Sequence, residues 1–248
     1  GAEQIKVDVQ KITKDKKGFY SIYYNNLKSG NFFGIDETQL QTGASVNKLP
    51  IIAALYLLDK EGKLKLDDKI TIQKGDVQDY GTGSIRYQKM PQVYSLRNLA
   101  KLALKESDNT AAHVLEIRIG EENVQKLAKS WGLTQTDMIN NKTTVYDMAI
   151  LFERIYKGEI ANAANTKELL EFMTKTLFED RLPKGLPSNI KVYHKSGDEE
   201  GFVHDLGIVE TNKGAYFLGV MTSDIGDNES QTKDTIAEIS KKVFDSVN

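Results

Sequence analysis

From Leu49 to Leu58 every residue but Pro50 is apolar, so a helix there has no face left for water. Such a helix is buried on all sides, and the rest of the chain must wrap it. The run is ten residues long, about half of the roughly 20 that a membrane-spanning helix needs. Just before it stand Ser45 and Lys48. A buried ammonium is costly unless it is paired or neutralised. If the helix starts at Ser45, Pro50 removes an N–H and crowds the carbonyl of Val46. Two readings are open. In one, Ser45 caps the helix and Lys48 snorkels to the surface. In the other, the two side chains share a helix face because they are three apart. A neutral Lys amine then takes the Ser proton, provided that burial or a second cation depresses its pKa.

The 248-residue chain supports this core, with 40% hydrophobic and 27% charged residues. Its 33 Lys+Arg against 35 Asp+Glu leave a net charge of −2. That balance argues against a nucleic-acid partner, which requires a basic stripe to displace counterions. The absence of cysteine excludes a disulfide scaffold, a thiolate zinc site and a cysteine nucleophile. The start, Gly1-Ala2, lacks an initiator Met and reads as a cleavage scar, so an export signal is expected to have been removed.

The patterning predicts a short amphipathic helix over residues 3–13, strands over 19–24 and 31–35, and a helix over 45–61. Further helices are expected at 95–105, from 107 or 108 to 120, at 121–131 and from 143 or 144 to 158. Strands return at 191–194, 202–210 and 215–222, and a last helix covers 232–247. Strands at both ends with helices between them predict an α+β fold. One antiparallel sheet comes from about 1–44 and 190–248, and a helical part from about 45–189, in a single catalytic domain.

Three short motifs occur in order. S-x-x-K at Ser45 recurs at Ser188 and Ser230, but only the first opens a buried helix. Ser107-Asp108-Asn109 lies at a junction between helices, where on its own it reads as cap and turn chemistry. Lys195-Ser196-Gly197 follows a short strand; the same tripeptide at residues 28–30 is a hairpin turn. Each motif is weak alone, but S-x-x-K, S-D-N and K-[ST]-G in this order form the signature set of penicillin-interacting serine enzymes.

On these motifs the chain resembles the class A β-lactamase-like branch of the penicillin-recognising serine hydrolases, over nearly its whole length. The resemblance implies that Ser45 is the nucleophile and Lys48 its proton acceptor. Ser107 would relay a proton to the departing nitrogen. Asn109 would hydrogen-bond substrate and position Lys48. Lys195 and Ser196, with Gly197 beside them, would bind the substrate carboxylate, and Lys195 would help to keep Lys48 deprotonated. The backbone N–H groups of Ser45 and Asp198 would form the oxyanion hole. His204, nine residues after Lys195, stands where class A enzymes often place a carboxylate-binding Arg. Tyr80 is either the aromatic wall of the site or a plain loop residue. His113 reads as structural, and His194 has no assigned role. No metal or organic cofactor is implied.

One departure separates the chain from the family's β-lactamases. Their loop before the helix that opens here near Thr143 carries a Glu that activates the deacylating water. The stretch from Trp131 to Thr144 holds no Glu, and Asp137 is its only carboxylate. The expectation is therefore an acyl-enzyme that forms with β-lactams or D-Ala-D-Ala-type peptides and persists, as in penicillin-binding proteins. The alternatives are a true class A-type β-lactamase, a non-catalytic penicillin sensor or binding domain, and an esterase for small acyl esters. The resemblance also implies an extracytoplasmic monomer, secreted or tethered to the cell surface, acting on a small-molecule substrate.

Overall fold

The computed structural model describes residues 1–248. The chain opens with α1 (Ala2–Thr13), β1 (Phe19–Asn26), β2 (Phe32–Ile35) and the two-residue β3 (Gln41–Thr42). The middle runs through α2 (Lys48–Lys60), β4 (Lys69–Ile72), β5 (Gln92–Ser95), α3 (Leu96–Lys105), α4 (Asn109–Ile119), α5 (Glu121–Ser130), the short β6 (Lys142–Thr143), α6 (Val145–Tyr156) and α7 (Ala163–Phe172). It closes with β7 (Lys191–Glu199), β8 (Phe202–Thr211), β9 (Gly214–Ser223) and α8 (Glu229–Val247).

The two chain ends build one antiparallel sheet in the order β2-β1-β9-β8-β7. Its strands are buried on both faces, which period-2 geometry sorts cleanly. Ile22, Tyr24, Leu218 and Val220 pack with Ile5 and Val9 of α1 and Ile236, Ile239 and Val243 of α8. Their neighbours Tyr23, Phe217 and Met221 join Met148 and Phe152 of α6 in the larger core. That larger core continues through α2, whose residues from Lys48 to Tyr56 are all buried. Helices α3, α4 and α5 surround it. The expected α+β fold with a sheet drawn from both ends is the fold observed.

Helix starts follow local chemistry. Ser95 Oγ accepts from the Asn98 N–H at 3.0 Å, Asp108 Oδ1 from Ala111 at 2.9 Å and Thr144 Oγ1 from Asp147 at 2.9 Å. Each fills one of the orphan donors of a first turn.

Three local expectations change. Ser45 does not open an α-helix: Ala44–Asn47 is a 3₁₀ turn, and α2 begins at Lys48. Pro50 then falls in the first turn, where its missing N–H has no helical partner to lose, so the apparent violation disappears. Strand β7 runs on to Glu199, which places Lys195-Ser196-Gly197 inside the strand. Helix α7 and the pairs β3–β6 and β4–β5 were not expected. The β3–β6 pair ties the segment before Ser45 to the segment before α6.

Leu55 is fully buried at the centre of α2. Leu55→Ala is expected to remove about 2–5 kcal/mol of stability, read as a fall in melting temperature of roughly 5–15 °C by calorimetry.

Candidate active site

Three segments converge at the end of α2: the turn carrying Ser45, the α3–α4 junction and edge strand β7. Two of the bends are strained. Ala44, just before Ser45, has φ 49°, and Ser107 has φ 53°. Non-glycine residues hold such angles only where the surroundings enforce them.

Lys48 is buried, and its Nζ lies 2.5 Å from the Ser107 carbonyl oxygen, 2.9 Å from Ser107 Oγ and 3.2 Å from Ser45 Oγ. Burial lowers its pKa to about 7, against a smaller upward pull from Asp108. Near neutrality a large share of the amine is uncharged. It can then donate to the two Ser107 oxygens while its lone pair faces Ser45 Oγ. The amine does not snorkel.

Lys195, also buried, donates to Ser107 Oγ at 3.1 Å and to the Ser196 carbonyl at 2.8 Å. Burial first, and then the charge on Lys48, hold its pKa well below the ordinary lysine value. At Lys48, too, desolvation by burial dominates the shift, as the apolar run predicts. Ser107 Oγ bridges the two amines.

Gly197 brings β7 against the Ser45 turn. A Cβ there would lie 3.2 Å from both Ala44 Cβ and Val46 Cγ2 and 3.3 Å from the Gly43 carbonyl. Glycine therefore sets the approach of two backbones, those of Ser45 and Asp198. On the other side, the loop from Tyr80 to Ile85 is fastened to the α3–α4 junction. Asn109 Nδ2 donates to the Tyr80 carbonyl at 3.0 Å, Ser84 N–H and Oγ donate to Glu106, and the Ile85 N–H donates to Asp108. Asn109 thus holds the loop and makes no hydrogen bond to Lys48, contrary to the expected positioning role.

These walls enclose an open cavity of about 420 Å³. Ser45, Lys48, Ser107, Asn109, Tyr80, Ser196, Gly197 and Asp198 line it, with Lys195 directly behind Ser107. Phe178, Glu199, His113, Glu116, Met138 and Asn141 complete much of the wall. No three His, Asp or Glu side chains converge as a metal site would require.

His204 does not reach the cavity. Its Nδ1 accepts from the Thr222 N–H at 3.0 Å and its Nε2 donates to the Thr42 carbonyl at 2.8 Å, so both ring nitrogens are committed. Burial lowers its pKa to about 4. It ties β8 to β9 and β3 as a neutral ring and is no carboxylate ligand.

The cation on this side is Arg181, which the sequence reading missed. It is fully buried and forks onto both Asp198 carboxylate oxygens at 2.8 and 2.9 Å, with a further bond to the His204 carbonyl at 3.2 Å. Sequence offers no signal for this, since Glu179-Asp180-Arg181 reads as a solvated charge run. His194 was missed too: its ring lies between Asp205 at 2.7 Å and Glu179 at 2.6 Å. The two carboxylates overcome burial and raise it to about 9.

The short loop before α6 is a tight turn. Asp137 and Lys142 exchange backbone hydrogen bonds at 2.9 Å. The Asp137 carboxylate accepts from the Ile139 and Asn140 N–H groups and from Asn140 Nδ2. It is turned into its own loop, and Met138 and Asn141 are the loop residues presented to the cavity.

A family model described as the β-lactamase enzyme family matches residues 4–247. The chain belongs to that family. It is 23% identical over 212 residues to the β-lactamase BRO-1 of Moraxella catarrhalis, covering 77% of this chain and 67% of that protein. Among solved structures, PBP-A superposes with a TM-score of 0.90 at 27% identity, over 98% of this chain and 95% of that one. A β-lactamase from Sphaerobacter thermophilus reaches 0.91 at 21% identity, over 100% and 97%, and shows the shared fold. The family and the PBP-A likeness make the protein a β-lactamase-like serine hydrolase of the kind that acts on amide bonds.

The His194 clamp has a signed consequence for stability. Its pKa rises from 6.5 to about 9 on folding, so the imidazolium's contribution is fully present below the unfolded value and is lost as pH climbs through the folded one. His194→Gln is expected to lower the melting temperature most below pH 6.5, with the deficit shrinking towards pH 9 and above. A deficit that stays constant across that range contradicts the clamp.

Proposed function

We propose that the protein is an acyl-transfer enzyme that forms an acyl-Ser45 intermediate with β-lactams or D-Ala-D-Ala-type peptides and releases it slowly. The observation that carries this reading is the continuous chain Ser45–Lys48–Ser107–Lys195, each link within hydrogen-bond reach. Ser45 Oγ attacks the amide carbonyl as Lys48, neutral through burial, takes its proton. The proton passes through Ser107 to the departing nitrogen as the C–N bond breaks. The N–H groups of Ser45 and Asp198 hold the oxyanion; deleting one such donor costs roughly 3–4 kcal/mol in comparable enzymes. Ser196, with Lys195 behind it, receives the substrate carboxylate, and Tyr80 flanks the site.

Slow release follows from the loop. No carboxylate from residues 131–144 faces the cavity, because Asp137 is satisfied within its own turn. A mutant of PBP-A was solved as an acyl-enzyme complex with penicillin-G, an acyl-enzyme in a closely similar frame. The likeness to BRO-1, a β-lactamase by name, favours a second reading in which turnover is efficient; the two readings differ only at deacylation. The proposal extends to where it acts: outside the cytoplasm, as a monomer, secreted or tethered, a reading that the family membership supports.

Intact-protein mass spectrometry after mixing with benzylpenicillin is expected to show a stable gain of one penicillin, absent in Ser45→Ala. The acylation rate should rise with pH through about 7, where Lys48 loses its proton. A gain that vanishes within seconds as product accumulates supports the efficient β-lactamase instead. An adduct on Ser45→Ala removes the nucleophile assignment.

A further inference from the structure

The cavity has a wall that this mechanism does not use. Asn109, Ala112, His113 and Glu116 follow the i, i+3, i+4, i+7 spacing of one helix face, and all four line the cavity from α4. His113 stands one turn beyond Asn109, about 6 Å along the helix axis. Met138 and Asn141 of the short loop line the same cavity. The other two histidines are fully engaged: His194 by two carboxylates, His204 by two backbone groups. His113, only half-buried, makes no hydrogen bond or ion pair within the protein, so both ring nitrogens are free to meet a water in the cavity.

We infer that His113 is the general base for the water that releases the acyl group from Ser45, taking the place of the carboxylate that the short loop does not present. The inference rests on the acyl-Ser45 reading above. The neutral imidazole takes one proton from water as the water oxygen bonds to the acyl carbon. The bond from that carbon to Ser45 Oγ then breaks, and the proton returns from the imidazolium to Oγ through Lys48, whose Nζ is 3.2 Å from that oxygen. A carboxylic acid leaves and both side chains are restored. Glu116, three residues on along the same face, supports the imidazolium electrostatically. Burial and the neighbouring Glu121 raise the pKa of its own carboxyl. The other charged or titratable side chains that line the cavity are Lys48 of α2, Asp198 and Glu199 of β7, and Tyr80 of the loop before α3.

One imidazole acting on one water makes release slow. The test is to load the protein with benzylpenicillin, remove the excess and follow loss of the adduct mass at pH 8. Wild type, His113→Gln and His113→Asn are compared. The expected result is that both variants lose the adduct at least ~10-fold more slowly than wild type at pH 8, within the usual range for a general base. This loss should exceed any change in acylation rate. Because the adduct forms only on folded protein, each variant reports its own integrity. Release that matches the wild-type rate in either loaded variant overturns the role of His113 alone. Failure of the wild type to form any adduct overturns the Ser45 reading and, with it, this one.

Discussion

The site depends on an amine kept out of water. Lys48 stands at the mouth of a helix that is apolar on every side, and the protein offers it two oxygens of Ser107 and the hydroxyl of Ser45. Burial makes the charged form expensive, so the group can hold or release a proton near neutrality. The strained turns at Ala44 and Ser107 bring those oxygens into range, and the packing of α2 against α3, α4 and α5 sustains the strain. Without the all-round apolar helix the amine would be solvated and charged.

Edge strand β7 supplies the second half of the electrostatics. Lys195, His194, Arg181 and Lys48 form a band of basic groups around it. Asp205 and Glu179 neutralise His194, while Asp198 neutralises Arg181. Lys195 has no acidic partner within ion-pair distance, so an anionic substrate group, proposed to sit at Ser196, would supply the missing one and favour its charged form. The paired groups lock the strand and the loop carrying Phe178 in place, and the unpaired one is free to act. The same sheet that joins the chain's two ends therefore also positions the site.

Legibility in the sequence followed the range of the physics involved. The apolar run, the caps at Ser95, Asp108 and Thr144, and the period-2 strands are local, and they appear in the fold close to where patterning puts them. The buried Lys48 was legible because a cation at the head of an all-round apolar helix breaks a local rule. What escaped depends on distant partners. Arg181 and His194 acquire their meaning from Asp198, Asp205 and Glu179, up to 17 residues away in sequence and in one case across strands. His204 was misjudged because its spacing from Lys195 says nothing of the backbone groups of Thr42 and Thr222 that occupy its ring. His113 reads as one more helix residue until α4 is docked and its face becomes a cavity wall. The helix start at Lys48 is a smaller case: the strained turn before it packs against β7 and follows β3, which pairs with β6, and both β6 and β7 are distant in sequence from Ser45.

The most direct measurement is the ionisation of Lys48 itself, followed by NMR titration of lysines carrying ¹³C at Cε, with Lys48→Arg to assign the resonance. The account predicts a lysine resonance that titrates near 7 and disappears in the variant. A Lys48 resonance that stays charged until the ordinary lysine range near 10.5 would contradict it and leave Ser45 without its base.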